Sequence, residues 1–214
     1  MQAIICWGAS GHARVVAQSL RRVGRWRLDG FIDDRDPQRR GEAFCGARVL
    51  GGREALAAAR ARGTEEMLLA FGDNAARLAL WRELEPQGWR FPVLLDPAAV
   101  VADDAEIGAG SYVAAGAIVQ PGVRIGAQVI VNSGAIVEHD SRIGDGVHIA
   151  PRACLAGHVE IGRGSSIGAG SVVRDRLRIG AGVVIGIGAL VLRDVPDGVV
   201  AYGHPARVVR EAGR

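Results

Sequence analysis

The sequence predicts two architectures in one chain: a small Rossmann-like parallel α/β domain, then a parallel β-solenoid of triangular cross-section. Three observations predict this. From Val101 to Val191 every sixth residue is aliphatic, sixteen positions without a slip. The residue four places after each is small or aliphatic, from Ala105 to Val195. Ahead of this run, apolar strands alternate with helical stretches and Gly-rich turns.

A period of six fits neither the 3.6 of a helix nor the 2 of a plain strand. It fits a chain that makes a short strand, turns a corner and repeats. Three hexads make one triangular coil, so an eighteen-residue texture should lie on top, and it does. One class of hexad opens Ile-Gly, at Ile107, Ile125, Ile143, Ile161 and Ile179. Another never has Gly in second place: VADDAE, VQPGVR, VEHDSR, LAGHVE, VRDRLR and VLRDVP. This second class reads as the face where function displaced the regular corner residues. Sixteen hexads give about five coils, a prism roughly 25 Å tall at ~4.8 Å per stacked strand. Each inward aliphatic side chain should contribute about 1.5–3 kcal/mol by burial.

Composition narrows the function. The chain has 214 residues and a net charge of +3, with no Lys at all, so Schiff-base and P-loop lysine chemistry are excluded. Up to residue 97 there are 15 Arg against 12 acidic residues and no basic block, which does not suit nucleic acid. No apolar run approaches the length of a membrane span, and the first residues do not read as a signal peptide. Cys6, Cys45 and Cys154 are odd in number and far apart, as free thiols in the reducing cytoplasm would be.

In chain order, residues 2–7 read as a buried strand and Ala13 to about Val23 as a helix, joined by Gly8-Ala-Ser10-Gly11-His12. Strand, glycine turn and helix together can cradle a phosphate; as a motif this one is shorter than the dinucleotide fingerprint. Leu28–Ile32 reads as a second strand ending in Asp33-Asp34, which could accept hydrogen bonds from a ribose or base, or be a solvated turn. Glu54–Arg62 is a helix, Met67–Phe71 a strand, Ala75–Leu84 a helix and Phe91–Leu95 a last strand. All four Trp fall in this half.

Within the solenoid the polar hexads carry Asn132, Glu138, His139, Asp140, His148 and His158. A histidine followed by a carboxylate suits acyl transfer: a neutral imidazole takes a proton from the attacking group, and the carboxylate fixes its tautomer. An exposed turn residue is the bland alternative. Metal is not expected. His139 and His158 are nineteen apart, one coil plus one residue, and the extra residue should turn the second side chain away. His139 and His148, nine apart, should lie on different faces.

The segments GASGHAR (8–14), GFIDD (30–34), GDNAAR (72–77), LDPAAVV (95–101), NSGAIVEHD (132–140), GDGVHIAP (144–151) and GVVAYGHPARVVR (198–210) appear in this order. Together they resemble the sialic acid O-acyltransferase and nucleotide-amino-sugar N-acetyltransferase family, over the whole chain. The resemblance implies a left-handed β-helix. It implies a nucleotide-sugar-binding domain over 1–97, an acyltransferase β-helix over 98–196 and a C-terminal cap over 197–214. It implies acetyl-CoA as acyl donor, a nucleotide-linked amino sugar as acceptor, no metal, and a homotrimer with its active site between two β-helices. His139 then takes the general-base position and Asp140 the residue that tunes it. Gly8, Ser10, Gly11, Asp33 and Asp34 would hold the nucleotide, with His12 near the sugar and Asn132 at a nearby polar position. His148 would lie near the acyl donor, and the Gly157 N–H would meet the thioester carbonyl. Arg14 stands where the family often has Lys. His158 and His204 receive no role, and Arg174–Arg178 are open to a CoA phosphate or to solvent. O-acetylation of a glycan hydroxyl would use the same base. A non-catalytic scaffold is the reading from another class, and His139-Asp140 argues against it.

Overall fold

The computed structural model describes residues 1–213. Five strands form the first sheet: β1 (Gln2–Trp7), β2 (Trp26–Ile32), β3 (Ala43–Phe44), β4 (Ala47–Gly51) and β5 (Glu66–Leu69). Their order is β3-β4-β2-β1-β5, parallel except for β3. Alternate residues of β1 serve two cores, as period 2 requires. Ile4 and Cys6 pack with Ala13, Val16 and Leu20 of α1 (Gly11–Val23). Ile5 and Trp7 pack with Ala59 of α2 (Ala55–Ala61) and with Leu80 and Leu84 of α3 (Asn74–Leu84). Gly24 ends α1 in the left-handed conformation, φ 68°, and Asp73 caps α3 by accepting from the Ala76 N–H at 2.9 Å.

Two features differ from the sequence reading. The hairpin β3–β4 was not anticipated; its turn is Cys45-Gly46, both at positive φ, and the non-glycine first residue hides the signal. Of the expected strand Phe91–Leu95, only Leu94–Leu95 forms, and it pairs with Tyr112–Val113 rather than with the first sheet.

From Leu94–Leu95 to Leu190–Val191 the described chain makes seventeen two-residue strands, one every six residues. They stack in three parallel sheets with partners eighteen apart, for example Ile118↔Ile136, Arg124↔Arg142 and Ile130↔His148. This is the left-handed β-helix, with each of the three sheets forming one face. The inward aliphatics from Val113 to Val191 are at most 5 % exposed, whereas Val101 and Ile107 at the open end are half-buried. The Ile-Gly corners have a steric cause: a Cβ on Gly108 would fall 2.5 Å from the Gly126 carbonyl carbon of the next coil. Inward serines lock successive coils. Ser141 Oγ donates to the Ala156 carbonyl and accepts from the Val159 N–H, and Ser111 and Ser165 repeat the pattern.

The outward residues distinguish the faces. The first face (Tyr112, Ile130, His148) is covered by the N-terminal domain, whose core it joins. The second is apolar: Val100, Ile118, Ile136, Cys154, Val172, Leu190. The third is charged: Glu106, Arg124, Arg142, Glu160, Arg178. Arg77 of α3, 1 % exposed, fastens the domains by donating to the carbonyls of Gln128 and Gly146. Ser19, Asp96 and Tyr112 form a second junction, closed by Arg22. An antiparallel hairpin, Val199–Gly203 with Ala206–Glu211, extends the first face beyond the last coil. Among the described residues no helix is long and apolar enough to cross a membrane.

Candidate active site

The chain carries two polar clusters on opposite sides of the prism. The first lies on the corner between the second and third faces, where the hexads lacking the second-place glycine all fall. They form one edge of the prism rather than the face read from sequence. A left-handed residue recurs there every eighteen positions: Gly122, Asp140, His158 and Arg176, at φ 71°, 60°, 58° and 57°. Three non-glycine residues in a row at positive φ concentrate backbone strain on this edge. Asp and His tolerate the conformation better than most residues.

On this edge His139 Nδ1–H donates to Asp140 Oδ2 at 2.8 Å, which leaves Nε2 with its lone pair free. The hydrogen bond from His139 and the neighbouring His158 hold the Asp140 carboxyl below its ordinary range. Gly157 lies directly against the His139 ring, and its N–H makes no hydrogen bond within the described chain.

Sequence reasoning left His158 without a role and expected its side chain to turn away from His139, but it does not. Its ring stands 5.2 Å from that of His139, edge to face, and its Nε2 lies 3.6 Å from Asp140 Oδ2. The alternation rule belongs to strands, and this is a corner. Residue 158 occupies the corner position of residue 140 one coil on, and the His158 N–H donates to the His139 carbonyl at 2.9 Å. His139, Asp140 and His158 thus present nitrogen and oxygen ligand atoms all within 4.8 Å of one another. The side chains expected from their spacing to diverge instead converge, so spacing does not exclude a metal here. His148 does lie elsewhere, as expected.

The second cluster sits where the N-terminal domain meets the first face. Within the N-terminal domain itself a cleft of about 480 Å³ is lined by Trp7, Gly8, Ser10, Asp33, Asp34 and Arg53. Gly8 is at φ 109°, and a Cβ on it would fall 3.0 Å from the Ala70 carbonyl oxygen, so only glycine fits the turn. Ser10 starts α1 without a side-chain cap, and Gly11 opens the helix exposed to solvent. Asp33 is paired with Arg39 at 2.8 Å, and Asp34 accepts from the Trp7 indole at 3.3 Å. Arg14 stacks on Phe44.

At the inner end of α1 the His12 ring lies 6.4 Å from that of His148, and the His12 Nε2 is buried without a partner among the described residues. The Asn132 amide donates to His148 Nε2 at 3.0 Å, and its orientation is fixed because Oδ1 accepts from the Ser133 N–H. Burial, then the neighbouring His148, then Arg77 lower the His12 pKa to about 4; burial and Arg77 do the same to His148. Both imidazoles are neutral at ordinary pH. Sequence reasoning assigned His12 to the sugar and His148 to the acyl donor; the fold brings the two side by side at the domain junction.

A family model for the PglD N-terminal domain matches residues 3–84, and one for the bacterial transferase hexapeptide (six repeats) matches residues 140–175. Among solved structures, the chain is similar to a histidine-to-asparagine variant of perosamine N-acetyltransferase from Caulobacter crescentus, in complex with CoA and GDP-perosamine. Identity is 34 % over 99 % of this chain and 98 % of that one, with a TM-score of 0.93. It is similar to the acetyltransferase domain of PglB from Neisseria gonorrhoeae at 35 % identity over 98 % and 100 % of the two chains, TM-score 0.91. WeeI from Acinetobacter baumannii follows at 28 % identity, 98 % and 100 % coverage and a TM-score of 0.78. No curated protein sequence matches the chain.

Proposed function

The chain belongs to the hexapeptide-repeat family of nucleotide-amino-sugar N-acetyltransferases and transfers acetyl from acetyl-CoA to the amino group of a nucleotide-linked sugar; we propose that His139 is its general base, in a cleft that two copies of the chain build together.

The observation that carries the base assignment is the His139–Asp140 contact at 2.8 Å on an exposed edge of the prism. With Nδ1–H committed to Asp140, Nε2 removes the proton as the sugar amine attacks the thioester carbonyl. The Gly157 N–H, unpaired in the chain, steadies the oxyanion of the tetrahedral intermediate. The intermediate collapses, the C–S bond breaks, and the CoA thiolate takes the proton back from the imidazolium. No group of the enzyme is acylated. The glycine turn at Gly8, Ser10 and Gly11, with Asp33 and Asp34, holds the nucleotide, while His12, Asn132 and neutral His148 act as donors and acceptors around the reacting groups. The basic edge at Arg174 and Arg176 is placed one coil beyond His158, where a CoA phosphate would be met.

A homotrimer is part of this reading. Two features support it. The N-terminal domain packs on the first face, with His12 beside His148, while His139 stands on the opposite edge of the same prism, so on this reading one chain's sugar meets another chain's base. The second face, next to that edge, presents an apolar column beside a fully charged third face, with Val100 63 % and Val172 43 % exposed. Unpaired Cys6, Cys45 and Cys154 fit the reducing cytoplasm.

The test is His139→Ala in a CoA-release assay with a panel of nucleotide amino sugars and their hydroxyl analogues. Loss of about 10²–10⁴ in kcat with little change in KM is expected. Undiminished turnover sinks the assignment, and faster turnover on the hydroxyl series would make the enzyme an O-acetyltransferase.

A further inference from the structure

The geometry assigns a second ligand to the prism edge: we propose that His139, Asp140 and His158 bind a divalent transition-metal ion, zinc above all, which shuts the acetyl transfer off reversibly.

The transfer proposed above routes no step through a metal, so an ion held by the base and its partner would be inhibitory. Its parts are two imidazoles and one carboxylate, a donor set suited to zinc, copper or nickel rather than magnesium or calcium. Asp140 Oδ2 already sits between the rings, 2.8 Å from His139 Nδ1 and 3.6 Å from His158 Nε2. Zinc bonded at ~2.0–2.2 Å needs ligand atoms no more than about 4.2 Å apart. All three lie within 4.8 Å, and side chains 41–53 % exposed close the difference by rotating about Cα–Cβ and Cβ–Cγ. The backbones do not need to move. Asp140 and His158 hold the same corner position on successive coils, and the His158 N–H is tied to the His139 carbonyl. A fourth position stays open to water. As the ion takes the His139 Nδ1 lone pair, the ring proton moves through water from Nδ1 to Nε2, and the hydrogen bond to Asp140 is replaced by two metal bonds, so Nε2 no longer has a lone pair with which to take a proton. The base is then anchored away from the position at which it meets an amine.

The binding claim stands apart from the catalytic one, whereas the inhibition rests on His139 being the base. The test uses the tag-free full-length protein with zinc alone, titrated against a chromophoric chelator, and with cobalt followed by its visible d–d absorption. Asn tolerates positive φ and is a poor zinc ligand, so His158→Asn is the first variant and His158→Gly the second. Expected are one saturable ion per chain, at least a tenfold loss of affinity in both variants, and no loss in Cys154→Ser. Zinc should inhibit CoA release, a chelator should restore it, and His158→Asn should resist it. Absence of saturable binding up to millimolar zinc, or binding undiminished in both His158 variants, overturns the site. Binding that depends on His158 yet leaves acetyl transfer untouched upholds the site and counts against His139 as the base.

Discussion

Gly157 and His139 share a space that has room for no further atom. A Cβ built on Gly157 would lie 2.7 Å from both Cε1 and Nε2 of the His139 ring. This glycine is not at positive φ. It is small because the imidazole rests on it, so its absent side chain sets where Nε2 points.

Gly157→Ala is therefore a positioning variant. The ring must tilt, and a displacement near 1 Å from productive geometry can cost on the order of 10²-fold in rate. The melting temperature should change little, because the His139 side chain is half exposed and free to move aside. A stopped-flow or CoA-release measurement at saturating substrates separates the outcomes: a fall in kcat at constant Tm is expected, and unchanged kcat would show that the ring position is not critical.

Arg77 is the buried fastener between the domains. Its guanidinium donates to the carbonyls of Phe71, Gln128 and Gly146 and to Asn74 Oδ1, with no carboxylate partner, and burial lowers its pKa to about 10. Arg77→Met leaves several buried acceptors without donors at about 1–3 kcal/mol each, so a loss of about 3 kcal/mol or more is expected in urea denaturation. Arg77→Lys should recover only part, since one ammonium cannot reproduce the planar fork.

The two junction histidines give the fold a pH limit. Each is pushed from an ordinary 6.5 to about 4 in the folded chain. Between these values the unfolded chain binds more protons, so stability rises with pH through that window. The contribution is complete above about pH 6.5 and is lost as pH falls toward about 4, with the two rings titrating as a pair. Denaturation midpoints should drop between pH 7 and pH 5, and a His12→Gln, His148→Gln double variant should flatten that slope. A wild-type midpoint indifferent to pH over this range would refute the neutral-pair description.

The sequence made the solenoid readable because one physical rule repeats: one side chain in six must enter the prism, and a single slip would expose the rest. Every predicted inward position from Val113 onward is buried. His139 and Asp140 were legible for a related reason, since adjacent residues on a tight corner cannot separate. His158 was not, because an alternation rule for strands was applied to a corner, and the left-handed φ of residue 158 was invisible in its identity. The pairing of His12 with His148 was also out of reach. They are 136 residues apart (148 − 12), and only the docking of the N-terminal domain on the first face joins them. The hairpin at residues 43–51 escaped because Cys45 adopts a conformation usually left to glycine or asparagine.

The placement of the two polar clusters on opposite sides of one prism has a genetic consequence. If the chain forms the proposed ring, each copy would lend its edge histidine to one neighbour and its sugar pocket to the other. Two inactive proteins, one damaged at residue 139 and one at the pocket, would each be silent alone. Refolded together they would form mixed rings in which one junction joins the two intact halves, so that crossing dead alleles restores acetylation.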